Sequence, residues 1–306
     1  MKMKNLFILF AMTLLMGSIF TSCKKDDTKP TITGEALFSY TTDGMVVTFT
    51  NESTISGDVT YLWAFGDDET STEKNPVHTY AIKGEYTVTL TVTDAQGGDH
   101  PVITKVKVDK KTRIDLNDNS FDDWNAVTEE KYIMSTGGDL AGTVVYAKVD
   151  YDANNVYVYM KFKGTLEYGY FFDVFLDTDN DTLTGSRSWI WPTMGADYLV
   201  EGQFTIPEAS GDFLSAYFNG ETQDAWSWGE DKPFPEGYYK AGYMANNGEN
   251  AEFEFAFDRS KVPGLDNDMV QIGIFMSDPD SWADVGWAPD KAVEGGVAPG
   301  FLIDMR

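Results

Sequence analysis

Tyr61-Leu62-Trp63-Ala64-Phe65-Gly66-Asp67-Asp68 is an apolar run that ends on a turn cluster. Twenty residues on, Gly84-Glu85-Tyr86-Thr87-Val88-Thr89-Leu90-Thr91-Val92-Thr93-Asp94 alternates strictly. Val88, Leu90 and Val92 share one parity and the threonines the other. A period of two puts one set in a core and the other in water, as a β-strand does. β-Branched and aromatic residues suit that pleated surface. Upstream, Val46, Thr48 and Thr50 alternate with Val47 and Phe49. Short strands with turns at this spacing predict a small β-sandwich over residues 34–109.

The pattern recurs further along. Val144–Val149, Asn155–Phe162, Tyr170–Leu176, Ala251–Phe257, Val270–Met276 and Gly300–Ile303 all read as strands. Ala251–Phe257 puts three phenylalanines on one face and two glutamates on the other. No helical stripe lasts longer than two turns. The expectation is an all-β chain of two β-sandwich domains. The second, residues 114–306, is larger and has long loops. Residues 110–113 form a short basic linker between them.

The chain has 306 residues, a net charge of −26, 42% hydrophobic residues and 14% aromatic residues. That suits two domains with packed cores and excludes general disorder. The charge is uneven: residues 114–306 carry 11 Lys plus Arg against 35 Asp plus Glu. Such a surface repels phosphate polymers and attracts cations, so no nucleic-acid partner is expected. One cysteine excludes a disulfide framework. The two histidines, His78 and His100, exclude a histidine triad, a histidine metal site or a histidine proton shuttle beyond residue 100.

The N-terminus reads as an address. Lys2 and Lys4 precede an apolar run, Leu6–Phe20, that is short for a membrane span. Residues 1–22 are expected to be a signal peptide. Ile19-Phe20-Thr21-Ser22-Cys23 resembles a bacterial lipobox, with Phe20 where the family usually has Leu. The resemblance implies lipidation of Cys23 and a tether over residues 23–33; an ordinary signal peptide with an incidental cysteine is the alternative. Lys24-Lys25-Asp26-Asp27 resembles the surface-export signal of Bacteroidota lipoproteins. It implies a protein anchored in the outer membrane by lipid and exposed at the cell surface.

Tyr61–Asp67, Asn75-Pro76-Val77-His78-Thr79-Tyr80 and Gly84–Asp94 together resemble the PKD domain. Ala64 stands where Asp is usual and Asp68 where Gly is usual. The resemblance implies an immunoglobulin-like sandwich acting as a spacer, with His78 packed rather than catalytic. The second half opens with Ile114-Asp115-Leu116-Asn117, Phe121-Asp122-Asp123-Trp124 and Tyr151-Asp152-Ala153-Asn154-Asn155-Val156. An acidic loop and Gly195–Gly202 follow. This order resembles the family-nine carbohydrate-binding module and its DOMON-like relatives, without the Gly of their opening motif. It implies a jelly-roll-like sandwich that binds sugar and often carries structural calcium.

Two groups of residues stand out in that domain. Asp177, Asp179 and Asp181 alternate in one loop, which suits hard-cation coordination; Asp197 is a candidate to complete the set. Thr182 and Ser188 at the sixth and twelfth positions exclude an EF-hand. An Asx-rich turn without metal reads equally well. The second group is aromatic: Trp189, Trp191, Trp226, Trp228, Tyr239, Trp282 and Trp287, most of them among Gly, Asp and Pro. A flat ring suits the apolar face of a pyranose, with carboxylates and amides on its hydroxyls. Some of these rings are expected to plug the core instead, and Trp124 is expected to be core.

The leading expectation is a non-catalytic surface lipoprotein that binds a polysaccharide or oligosaccharide. It resembles surface glycan-binding and SusE/SusF-type proteins, which accompany glycan-uptake machinery. A glycan-degrading enzyme working through paired carboxylates and a protein-binding adhesion module are the alternatives.

Overall fold

The structure is a computed structural model that describes residues 33–203, 214–230, 232–233, 235–293 and 296–306. The expected signal peptide, Cys23 and the expected tether up to residue 32 lie outside the described residues.

The first seven strands are β1 (Phe38–Asp43), β2 (Val46–Asn51), β3 (Thr60–Ala64), β4 (Thr70–Ser71), β5 (Val77–Thr79), β6 (Gly84–Thr93) and β7 (Asp99–Val108). They form two antiparallel sheets, β1-β2-β5 and β4-β3-β6-β7. Val47 and Phe49 from one sheet and Trp63, Val88, Leu90 and Val92 from the other are fully buried in a shared core. The alternation on β6 sets which side chains enter it. The Trp63 indole donates to Glu73 O at 2.9 Å, so its polar edge is satisfied inside. His78 is buried, stacks on Phe65 at 4.1 Å between ring centroids, and meets Asp67 Oδ2 at 2.7 Å. Asp68 has φ +71°, the left-handed conformation that the more usual glycine adopts without strain.

The remaining strands are β8 (Ile133–Ser135), β9 (Val144–Tyr151), β10 (Asn155–Lys163), β11 (Phe171–Asp177), β12 (Tyr198–Gln203), β13 (Leu214–Tyr217), β14 (Lys232–Pro233), β15 (Tyr239–Asn247), β16 (Asn250–Asp258), β17 (Met269–Ser277), β18 (Asp284–Ala288) and β19 (Phe301–Asp304). One sheet runs β15-β16-β10-β9-β8. The other runs β14-β13-β12-β11-β17-β18, with β19 also paired to β17. Val158, Phe253 and Phe255 of the first sheet meet Val174, Ile272 and Ile274 of the second in the main core. The chain is all-β, built as two sandwiches, as the period-two patterning predicts.

Trp124 is buried; its indole donates to Glu254 Oε2 at 2.7 Å and stacks on Tyr159. The opening segment of the domain is thereby pinned across β10 and β16. The basic stretch at 110–113 is not wholly solvated. Lys110 pairs with Asp150 and lies 4.2 Å from the Tyr151 ring centroid, and Thr112 Oγ1 donates to Asp150 Oδ2 at 2.6 Å. Lys111 and Arg113 are exposed.

Candidate functional site

β11, β12 and β17 are buried on both faces. Their even-numbered residues, such as Phe172, Val174, Val200, Ile272 and Ile274, enter the main core. Their odd-numbered residues face away from it and pack against side chains of the loops around residues 186–196 and 218–229, with Trp287 of β18 and Ala298. A second, smaller core results, with Phe175, Trp191, Leu199, Phe275 and Trp287 in it.

Strand register arranges that outer face in rows. Leu199, Phe175 and Gly273 form one row, and Glu201, Asp173, Phe275 and Trp287 form the next. Asp284 lies opposite Ser277 in the row beyond.

Of the tryptophans in the covering loops, Trp189 and Trp226 are exposed, at 58% and 56%. Their centroids are 5.4 Å apart with planes inclined by 58°. Phe175 supports Trp226 from below at 6.2 Å, and Phe275 supports Trp189 at 5.4 Å. Trp228 is half-buried and edge-on to Trp226. Leu199, Glu201, Leu214, Ala216, Trp226 and Trp228 line a cavity of about 410 Å³. A neighbouring cavity of about 320 Å³ has Trp189, Asp284, Trp287 and Lys291 on its walls.

Three polar groups on this face are buried without a partner: Asp173 Oδ1 and the indole nitrogens of Trp228 and Trp287. Each such group is destabilising by about 1–3 kcal/mol unless something bonds to it. The Asp173 carboxyl lies within hydrogen-bonding reach of Glu201. Burial, then the Glu201 charge, push its pKa well above the usual carboxylate range.

The other expected sugar contacts fare differently. Trp282 is 64% exposed, stacks on Phe171 at 4.8 Å, and has φ +60°. A bulky residue rarely adopts that conformation. It is held by its own N–H to Asp278 O at 2.9 Å, within a turn that Asp278 Oδ1 caps. Trp191 is fully buried, its ring laid against Gly273, where a side chain would not fit. It is core, not a ligand contact. Tyr239 is corrected likewise: it lies on β15 of the opposite sheet and packs on Phe255 at 5.5 Å. Trp287 is only 9% exposed, with Lys291 Nζ 3.8 Å above its ring, so it offers an edge rather than a platform.

The acidic loop lies at the end of β11. Ligand oxygens of Asp177, Asp179 and Asp197 all fall within 4.8 Å of one another. Asp177 is fully buried, and its Oδ1 has no partner. Its Oδ2 accepts from Gly195 N and Gln271 Nε2, both at 3.2 Å. Burial raises Asp177 to about 6, with Asp197 adding to the effect, and burial raises Asp197 too. An orphaned, buried carboxylate oxygen among two more carboxylates fits a hard cation such as Ca²⁺. Asp181 is not in the cluster: its carboxylate accepts Leu183 N at 2.9 Å and so shapes the turn.

Sequence reasoning missed the carboxylate row. The signal was there: Asp173 interrupts an otherwise apolar strand at the parity of Phe171 and Phe175.

Residues 27–108 match the family model of the PKD domain. The N-terminal sandwich is similar to PKD domains over most of its length. This PKD segment is 56% identical over 50 residues to collagenase ColA of Bacillus cereus, covering 16% of this chain and 5% of the collagenase. The pre-pro-metalloprotease PrtV of Vibrio cholerae is 42% identical over 76 residues, 24% of this chain and 8% of PrtV. The chain thus spans only a small part of those relatives. Among solved structures, the PKD1 domain of Vibrio cholerae PrtV is 40% identical, covers 24% of this chain and 95% of its own, and has a TM-score of 0.24. A structure described as a carbohydrate-binding module of the β-sandwich superfamily is 14% identical. It covers 83% of this chain and 97% of its own, with a TM-score of 0.25.

Proposed function

We propose that residues 114–306 bind a polysaccharide or oligosaccharide, without cleaving it, on the outer face of the β12-β11-β17-β18 sheet. The observation that carries this reading is the exposed Trp189–Trp226 pair above a face where Asp173 Oδ1 and the Trp228 N–H are buried unpartnered. A hydroxyl both donates and accepts, so one sugar ring can satisfy orphaned groups of both kinds while its apolar face lies on an indole. Phe171, under Trp282, is four residues along β11 from Phe175, or about 13 Å at strand rise. That length suits a chain of several sugar units.

In this reading Asp177, Asp179 and Asp197 hold a structural calcium ion that ties the end of β11 to the loop before β12. The PKD domain serves as a spacer. Lipid on Cys23 anchors the protein in the outer membrane, facing outward beside glycan-uptake machinery. Affinity electrophoresis of soluble residues 24–306 against plant, microbial and host polysaccharides tests the binding. Retardation by one polymer class that Trp226→Ala abolishes supports it. Migration unchanged by every polymer overturns it.

A further inference from the structure

Glu201 lines the cavity walled by Trp226, Asp284 lines the one walled by Trp189, and Asp173 is buried on the same sheet face. Asp173 is 6% exposed and faces Glu201 directly across the β11–β12 register. Asp284, from β18, adds to the negative field at Asp173. Among the described residues no ion pair neutralises any of the three. The nearest base in the second cavity, Lys291, lies over the Trp287 ring. What these groups offer is acceptors: Asp173 Oδ1 with no donor, and the Glu201 carboxylate on the wall of the larger cavity.

We propose, resting on the glycan-binding reading above, that the Glu201, Asp173 and Asp284 carboxylates, from two adjacent rows of the sheet, make the site selective for sugars that donate hydrogen bonds and carry no negative charge. Uronate sugars are shut out. A hydroxyl or an amine donates to these oxygens. A uronate brings a further carboxylate beside an acidic cluster whose Asp173 is buried, and like charges at close range repel. Burial, with the Glu201 and Asp284 charges adding to it, raises the Asp173 pKa, so a further anion beside it is disfavoured.

The test separates local selectivity from the negative charge of the whole domain. Affinity electrophoresis of the mature chain is run in about 0.5 M salt, where charges beyond a few ångströms are screened. The gels contain neutral glucan, xylan or galactomannan, the amine-bearing polymer glycol chitosan, or the uronates polygalacturonate and alginate. The expected result is retardation by at least one neutral or amine-bearing polymer and by neither uronate. Glu201→Gln should weaken that retardation at least fivefold, with a far-UV spectrum like the parent's. Uronate retardation that Trp226→Ala abolishes overturns the selectivity and leaves the glycan site standing. No retardation by any polymer, or only retardation that survives Trp226→Ala, removes the site and the selectivity with it.

Discussion

The indole N–H of Trp189 donates to Asp284 Oδ2 at 2.9 Å, joining a loop to the start of β18, 95 residues away. The bond holds an exposed ring in place over Phe275. A ring fixed before the ligand arrives loses less freedom on binding. Its partner Trp226 is steadied by Phe175 and Trp228. Trp226→Ala and Trp189→Ala are each expected to weaken glycan binding by about tenfold or more, equivalent to about 1.4 kcal/mol. Melting temperature should move by only a few degrees. Asp284→Ala, which leaves the Trp189 ring present but unmoored, should give a smaller loss. Titration calorimetry on the three variants checks the order.

Trp191 should behave in the opposite way. Its ring fills the space left by Gly273, and a Cβ there would sit 2.4 Å from Trp191 Cζ3. Gly273→Ala is expected to destabilise the second domain by about 1–3 kcal/mol through overpacking. Trp191→Ala is expected to lose about 3–5 kcal/mol through the cavity it leaves. Urea denaturation reads both. A Trp191→Ala protein of parental stability with impaired binding would return Trp191 to the ligand site.

The contrast between Trp189 and Trp191 shows where the sequence is legible. Alternation in Val88–Val92 and Phe253–Phe257 specifies strands and their inner faces, because each residue's side is set by its neighbours two away. The fold class follows from that local rule. A loop has no such period. Trp191 is buried because Gly273, on a distant strand, leaves room for it, and nothing within the stretch Trp189–Pro192 states that. Asp177 and Asp179 were visible as candidate ligands by their spacing. Asp181 shares that spacing, yet its carboxylate turns back to its own backbone. The pairing of Glu201 with Asp173, and the place of Asp284 in the row beyond, exist only through strand register.

Calcium should stabilise the second domain through Asp177, Asp179 and Asp197. A ligand at about 100 times its dissociation constant adds about 2.7 kcal/mol. The expected outcome is a rise of several degrees in melting temperature on adding calcium to chelator-treated protein. Asp177→Ala should abolish the rise. Asp181→Ala should keep most of it, because that side chain lies outside the cluster. Differential scanning calorimetry with and without chelator decides the matter, and a Tm indifferent to calcium would leave the loop a metal-free turn.

Glu254 provides a pH-dependent prediction. It is fully buried on β16, where its two oxygens accept from Trp124 Nε1 at 2.7 Å and Tyr243 N at 3.0 Å. Burial pushes it up to about 7; those two hydrogen bonds pull it down, and the nearby Asp123 and Asp118 carboxylates push it up. Lys148, which donates to Trp124 O, is the basic group packed on the same segment. The folded pKa exceeds the unfolded value of about 4.3. Between the two the folded state holds a proton that the unfolded chain has lost, so this group's contribution to stability declines as pH rises from about 4 to 7 and is level above. Glu254→Gln removes that slope but leaves either Trp124 or Tyr243 donating toward an amide NH₂ instead of an oxygen. The variant should therefore be less stable than the parent at pH 5, by about 1–3 kcal/mol, and the gap should narrow by pH 8. Urea midpoints at pH 5, 6, 7 and 8 measure it. The difference between the two proteins isolates Glu254 from Asp173, whose pKa burial also raises and whose contribution is the same in both. A gap that stays constant across that range would mean that Glu254 is ionised throughout and that its two donors outweigh its burial.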